Sequence, residues 1–340
     1  MNDEFLQLLF CCPECHGQLV WSLEGAACSS CSRSYPIYDG IPDFRLSVSP
    51  AEKLAEWARA RVLFQGAQPR EFRALLRDSI LRETSRPEII KVELEYELMW
   101  QKRGKRSLSR LRYLLHKSGA PEPESLLAGG LTLDIGCGKG VLMGTFVPFA
   151  KRVIGVDFSV EYVCFARTLL RELGHANWAL AVAEAEHLPF SDRTMQFVSL
   201  LDVVEHMADQ AVGVSEVFRV LAPTGYAFLN SPNRFSVMAP ESHCGLWFVG
   251  FLPYRWQARY VRWKAGQSYR GIRLLSYWSL SRMLGRHTNS LWKATVLVEK
   301  GSEIEGRAER LLSRFAALRW MLNVAPLKYL APSHHYLARK

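Results

Sequence analysis

Four cysteines near the start of the chain have the spacing of a metal site. Cys12-Pro-Glu-Cys15 and Cys28-Ser-Ser-Cys31 together read C-x2-C-x12-C-x2-C. Each C-x-x-C turn can aim two thiolates at one ion, and two such turns complete a tetrahedral Zn2+ site. Four protein ligands close the coordination sphere, so the ion is expected to be structural. Cys11 and His16 lie beside the first turn, but the two-residue gap selects Cys12. A second constellation is Leu131-Thr-Leu-Asp-Ile-Gly-Cys-Gly-Lys-Gly140, an apolar strand running into a glycine turn and then a helix. Gly136, Gly138 and Gly140 lack a Cβ where the backbone turns and a ligand must come close. Asp157 closes the next apolar strand, 19 residues after Gly138. That is near the spacing at which a carboxylate meets the two hydroxyls of a ribose. His206 and His243 supply imidazoles that can accept a proton near neutral pH. Either can equally serve as a structural hydrogen bonder.

Three regions must position these groups. Residues 1–46 form a small module with a turn at Asp39-Gly40 between short β segments. It is too small to bury a sufficient core, so the metal must supply stability. Residues 47–126 are expected to be helical, with helices at 51–64, 69–83 and 87–102 and Pro69 and Pro87 in first turns. Tyr96 and Trp100 would share a helix face, most simply for packing. The basic run 102–112 reads as a solvated face or an entry to the core, and residues 119–124 read as a linker. Residues 127–340 alternate strands and helices, which predicts an α/β fold with a doubly wound, Rossmann-like parallel sheet. Ligands of such sheets bind at the carboxyl ends of the strands. Gly136, Gly138, Asp157, Glu184 and Asp202 therefore share one rim. Residues 234–273 interrupt the alternation and are expected to be a cap inserted after the fifth strand. A helix at 279–285, a strand at 292–298, a helix at 303–323 and a strand at 334–338 would follow.

The net charge is +10, which favours an anionic partner. Between residues 242 and 298 there are nine Lys and Arg and no Asp or Glu. Arg255, Arg259, Arg262, Lys264, Arg270 and Arg273 alternate there with Trp247, Phe248, Phe251, Trp256, Tyr260 and Trp263. Such a surface can meet lipid headgroups or stack on RNA bases; it can also be an ordinary packed cap with a solvated basic face. The apolar run at 245–253 favours lipid or a lipid-linked acceptor over RNA. The acidic N-terminus does not read as a secretory signal, and no apolar run reaches the ~18 residues of a membrane span. The cysteines pair as a metal set rather than a disulfide framework. A cytoplasmic location, with peripheral membrane contact through the basic aromatic cap, is expected.

The turn Asp134-Ile-Gly-Cys-Gly-Lys-Gly140 resembles motif I of the class I S-adenosylmethionine-dependent methyltransferases of the type 11 group. Val182-Ala-Glu-Ala-Glu-His-Leu-Pro-Phe190, Asp202-Val-Val-Glu-His206, the run at 216–225 and Ser231-Pro-Asn233 follow in the family's order. The resemblance implies S-adenosyl-L-methionine as cofactor. Asp134 and the glycine turn would hold its methionine end, and Asp157 its ribose. Phe158 would lie against adenine, Glu184 would accept from the adenine amino group, and Ala185 would offer a backbone group nearby. Asp202 would complete the rim. The sequence departs from the family at Met195-Gln196, at Ala222-Pro-Thr224 and in having Glu rather than Asp at 184; none of these should abolish cofactor binding. The cysteine turns with Ser34-Tyr-Pro-Ile-Tyr-Asp-Gly-Ile-Pro-Asp-Phe44 resemble the zinc ribbon of the small activator family that partners tRNA and protein methyltransferases. Here the ribbon is fused, and its simplest role is to brace the neighbouring domain.

The function expected is methylation of a small-molecule, lipid-linked or saccharide acceptor, on oxygen. His243, in the cap, is the preferred base and His206 the second candidate; Glu205 would orient a neighbour or meet the cofactor. Two alternatives stand beside this. One is RNA methylation through the ribbon and cap, although no Asn/Asp-Pro-Pro-aromatic motif follows the fourth strand. The other is a non-catalytic binding protein that keeps the cofactor fold. The sequence does not set the oligomeric state.

Overall fold

The structure is a computed structural model and describes residues 4–64, 71–83, 100–295 and 327–340. The cysteine-bearing module folds as an antiparallel sheet, β1 (Leu19–Trp21), β2 (Gly25–Cys28), β3 (Ser34–Tyr38) and β4 (Ile41–Pro42), in that order. A four-cysteine cluster beside such a sheet has the build of a zinc ribbon. The larger sheet contains β5 (Leu131–Ile135), β6 (Arg152–Asp157), β7 (Trp178–Val182), β8 (Met195–Leu201), β9 (Leu221–Pro232), β10 (Ser290–Thr295) and β11 (Ser333–Arg339). Its order is β10-β11-β9-β8-β5-β6-β7. Pairing is parallel from β9 through β7, and β11 runs antiparallel to both neighbours. The fold is thus the expected α/β Rossmann-like type, with a mixed rather than wholly parallel sheet.

The central strands are nearly continuous apolar runs because both sheet faces are covered. On one face Leu133, Ile154 and Val198 pack with Phe10 and Phe44 of the ribbon and with Val214 and Val217 of the helix Gln210–Val220. On the other, Val153, Phe197 and Phe228 pack against the helices Trp100–Ser118, Val141–Phe146 and Val160–Glu172. Leu111, Leu114 and Leu115 anchor the first of these at 0% exposure. The run 102–112 is therefore part of a long helix whose apolar stripe faces the core.

The ribbon is joined to the larger sheet by main-chain pairing. Cys11 N–H donates to Pro189 O at 3.0 Å, and Phe44 N–H donates to Val182 O at 2.8 Å. Phe10 stacks on Phe190 at 5.2 Å between ring centroids, and Phe44 lies within ring contact of Phe10, Trp21 and Tyr35.

Helix boundaries depart from expectation in small ways. The second helix begins at Phe72, and a helix Pro123–Ala128 takes over part of the expected linker. Pro123 lies in its first turn, where no amide donor is needed. Most of the expected helix at 87–102, with Tyr96, and all of that at 303–323 lie outside the described residues, as does the end of the strand at 292–298. Between β9 and the helix Tyr277–Gly285 lies the helix Tyr254–Ala265 with its own small core of Val249, Val261 and Tyr269. No helix among the described residues is long and apolar enough to cross a membrane.

Candidate functional site

The carboxyl ends of β5, β8 and β9 open onto a cavity of about 400 Å³. Asp134, Gly136, Cys137, Gly138, Lys139, Asp202 and Asn230 line it from the sheet side. Gly136 has φ of +66°, and a Cβ there would stand 2.2 Å from Val203 Cγ2. No L side chain fits, so the tight turn requires glycine. Gly138 N–H donates to Asp157 Oδ2 at 2.8 Å, and Ser159 N–H donates to Oδ1 at 2.8 Å. The Asp157 carboxylate thus ties the β5 turn to the end of β6. Burial raises its pKa, and the backbone donors partly reverse that shift.

Asp134 is buried beneath the turn and accepts from Ser199 Oγ at 2.6 Å. Burial raises its pKa to about 7, against the opposing effect of the Ser199 hydrogen bond. A cationic ligand placed there would favour the ionised form. Asp202 sits in the left-handed region at φ +56°. Its N–H donates to Asn230 Oδ1 at 2.7 Å, and Asn230 Nδ2 donates back to Asp202 Oδ1 at 3.0 Å.

Arg103, Arg106, Ser107 and Arg110 form the opposite wall, from the helix Trp100–Ser118. Arg106 Nε is buried and has no hydrogen-bond partner. These arginines are not among the site residues expected from the sequence. Their i, i+3, i+7 spacing was the available signal, since it sets them on one helix face.

Asp157, Phe158, Glu184 and Ala185 do not line this cavity. Phe158 is half exposed; its carbonyl accepts from Arg45 Nη1 at 3.2 Å, and the Arg45 guanidinium lies 5.2 Å from its ring. Glu184 is buried and accepts from Ser47 N–H at 2.9 Å and from Ser47 Oγ. The segment leaving the ribbon therefore packs on the β6–β7 end of the rim. Arg45, itself 2% exposed, makes a bidentate pair with Asp43 at 3.0 and 2.7 Å, and Trp57 Nε1 donates to Asp43 at 3.1 Å.

The two candidate imidazoles meet. His206 ends the short turn Val204–His206 after β8, and His243 comes from the loop beyond β9. Their Nε2 atoms are 3.1 Å apart. Glu241 Oε1 holds His243 Nδ1 at 2.6 Å. Burial disfavours charge on His243, but the Glu241 hydrogen bond and the charges of Glu241, Glu205 and Asp202 together outweigh it and raise the pKa. Burial and then the neighbouring His243 lower that of His206. Glu205, 0% exposed, lies beside them with its pKa raised to about 7 by burial and by Asp202.

In the ribbon, Cys12 Sγ is 3.6 Å from Cys31 Sγ, and Cys15 Sγ is 3.5 Å from Cys28 Sγ. All four sulfurs lie within 4.8 Å of one another. Thiolates ~2.3 Å from one tetrahedral ion would be about 3.8 Å apart, so the set fits zinc.

Residues 133–229 match a family model described as a methyltransferase domain. A probable S-adenosylmethionine-dependent methyltransferase of Mycolicibacterium smegmatis is 36% identical over 32% of this chain and 40% of its own length. A ubiquinone biosynthesis O-methyltransferase of Thiobacillus denitrificans is 30% identical over 32% of this chain and 47% of its own. The chain thus spans less than half the length of these two relatives. Among solved structures, a methyltransferase of Thermotoga maritima, described as a possible histamine N-methyltransferase, covers 72% of this chain and 95% of its own. Its identity is 20% and its TM-score 0.44. The glycine turn, Asp134, Asp157 and Asp202 all fall within the segment that matches the methyltransferase-domain model.

Proposed function

We propose that the protein is an S-adenosylmethionine-dependent methyltransferase that acts on oxygen of a small or lipid-linked acceptor. The observation that carries this is one cavity in which the glycine turn, Asp202 and the buried Asp134 face three arginines. The residues fit the cofactor: an unpartnered Arg106 Nε suits its carboxylate, and a carboxyl poised near neutrality suits its ammonium. Bound there, the cofactor supplies an activated methyl, so alignment is the main task left to the protein.

In this reading Asp134 and the turn hold the methionine end. Asp157 fixes the turn and offers its second lone pairs to the ribose. Phe158, Glu184 and Ala185 flank the adenine end, with Arg45 and Ser47 locking that wall. Asp202, held by Asn230, carries the rim toward the histidines. His243, with Nδ1 fixed by Glu241, presents Nε2 for the acceptor's proton, and His206 is its neighbour at that face. The relatives named for ubiquinone biosynthesis support oxygen as the target. Exposed Trp247, Phe248, Trp256 and Trp263 support an acceptor presented at a lipid surface. The four-cysteine ribbon would carry one structural zinc and brace the adenine side.

The test is transfer of labelled methyl from S-adenosylmethionine into a cell extract separated into lipid, RNA, protein and small polar fractions. Label in the lipid or polar fraction is expected. Label confined to RNA would replace this acceptor class by nucleic acid, and no label with no S-adenosylhomocysteine binding would remove the enzyme reading.

A further inference from the structure

We infer that Glu205, His206 and His243 together hold a divalent cation of the zinc, manganese or iron type just past the end of β8, next to Asp202 on the rim. Their ligand atoms all lie within 4.8 Å of one another. The Nε2 atoms of the two imidazoles face each other at 3.1 Å. Two ligands ~2.1 Å from one ion, at roughly 90–109°, would be about 3.0–3.4 Å apart. The pair therefore already has the spacing of neighbouring ligands.

Glu205 gives the independent observation. Its Oε2 accepts from Ser231 Oγ at 3.1 Å, but its Oε1 is buried and has no hydrogen-bond partner. A buried carboxylate oxygen with no donor is costly unless something positive meets it. Oε1 stands 3.9 Å from His243 Nε2, too far for a hydrogen bond and near enough for both to reach one ion. The outer contacts are those of a metal-bound histidine as well. Glu241 accepts from His243 Nδ1–H and so leaves the Nε2 lone pair free to ligate. Two imidazoles and one carboxylate suit first-row divalent ions and leave positions open for an acceptor oxygen.

This site deepens the methyl-transfer reading and rests on it only for its role. With the ion bound, His243 is a ligand, and the ion takes over the work proposed for a base. An acceptor hydroxyl that ligates the ion loses its proton to solvent more readily. Its oxygen lone pair then forms the new O–C bond, the C–S bond breaks, and the electron pair of that bond stays on sulfur, which becomes a neutral thioether.

Zinc is the probe. The full chain is dialysed to equilibrium with zinc, and bound metal is counted in the wild type, in His206→Ala with His243→Ala, and in Glu205→Gln. Two zinc per chain in the wild type and one in the double variant, with Glu205→Gln binding the second ion at least ten-fold more weakly, is the expected result. The same count in wild type and double variant overturns the site. S-adenosylhomocysteine binding is read in parallel on the same samples. Binding without a second ion would sink the cation site and leave the methyl-transfer reading standing. A second ion without binding would do the reverse. Because Glu205→Gln keeps the shape of the buried side chain, it tests ligation even if the double variant fails to fold.

Discussion

Asn230 grips Asp202 from both sides, accepting from its N–H at 2.7 Å and donating to its carboxylate at 3.0 Å. The grip holds a non-glycine residue at φ +56°, an uncommon region that aspartate tolerates better than most side chains. β8 and β9 thus fix one wall of the cavity through a single amide. Asn230→Ala should lower stability by about 0.5–1.5 kcal/mol, as two part-buried hydrogen bonds to Asp202 are lost. It should also weaken S-adenosylhomocysteine binding about ten-fold. Urea unfolding and titration calorimetry check the two effects; unchanged affinity would clear Asp202 of a role in the rim.

If Asp134 holds the methionine end of the cofactor as proposed, binding should depend on pH. The Asp134 carboxyl is protonated below about 7 in the free protein. A cationic group binds the ionised form, so affinity should rise as pH rises through that range and level off above it. Stability runs the other way: the folded pKa is raised, so Asp134's contribution is complete below the usual carboxylate range and is lost as pH climbs toward 7. Calorimetry from pH 5.5 to 8.5 should show the rise in affinity, and Asp134→Asn should flatten it. An equally steep profile in the variant would assign the titration to another group.

Asp43 and Arg45 are a buried ion pair at 0% and 2% exposure, joining the ribbon's end to Phe158. Glu56 lies 2.6 Å from Arg45 and Lys53 lies 3.7 Å from Asp43, so each charge keeps a second partner, and Asp43→Ala or Arg45→Met alone should cost about 1–3 kcal/mol. The double replacement should cost less than the two single changes summed. A denaturation cycle measures the coupling, and strict additivity would mean that the pair contributes nothing as a pair.

The ribbon's sulfurs predict their own metal dependence. Cys15→Ser removes one of two exposed ligands and should release one zinc per chain. It should lower the thermal midpoint by roughly 5–10 °C, because the ion supplies what so small a core cannot. Metal analysis with a melting curve decides it; an unchanged midpoint would mean that Phe10, Tyr35 and Phe44 suffice to hold the module.

What could be read from the sequence was what is local in the chain. The glycine turn, the acid at the end of β6 and the cysteine pairs each complete their geometry within a few residues. Their spacing therefore announces them. Arg103, Arg106 and Arg110 were harder, because a basic helix face says nothing of what it will be docked against. Glu205 is expected from the sequence only to orient a neighbour or meet the cofactor. Its orphaned oxygen becomes visible when the loop carrying His243 folds over it, 37 residues later than His206. Ser47 on Glu184 is similar: the contact spans 137 residues and no local pattern encodes it.

The pairing of Phe44 with Val182 has one more consequence. β7 is the last strand of the large sheet, and its outer edge would otherwise offer open main-chain groups to another molecule. The segment leaving the ribbon occupies that edge at Val182, so the module also shields the sheet from self-association. Loss of the ribbon would leave that margin open at Val182.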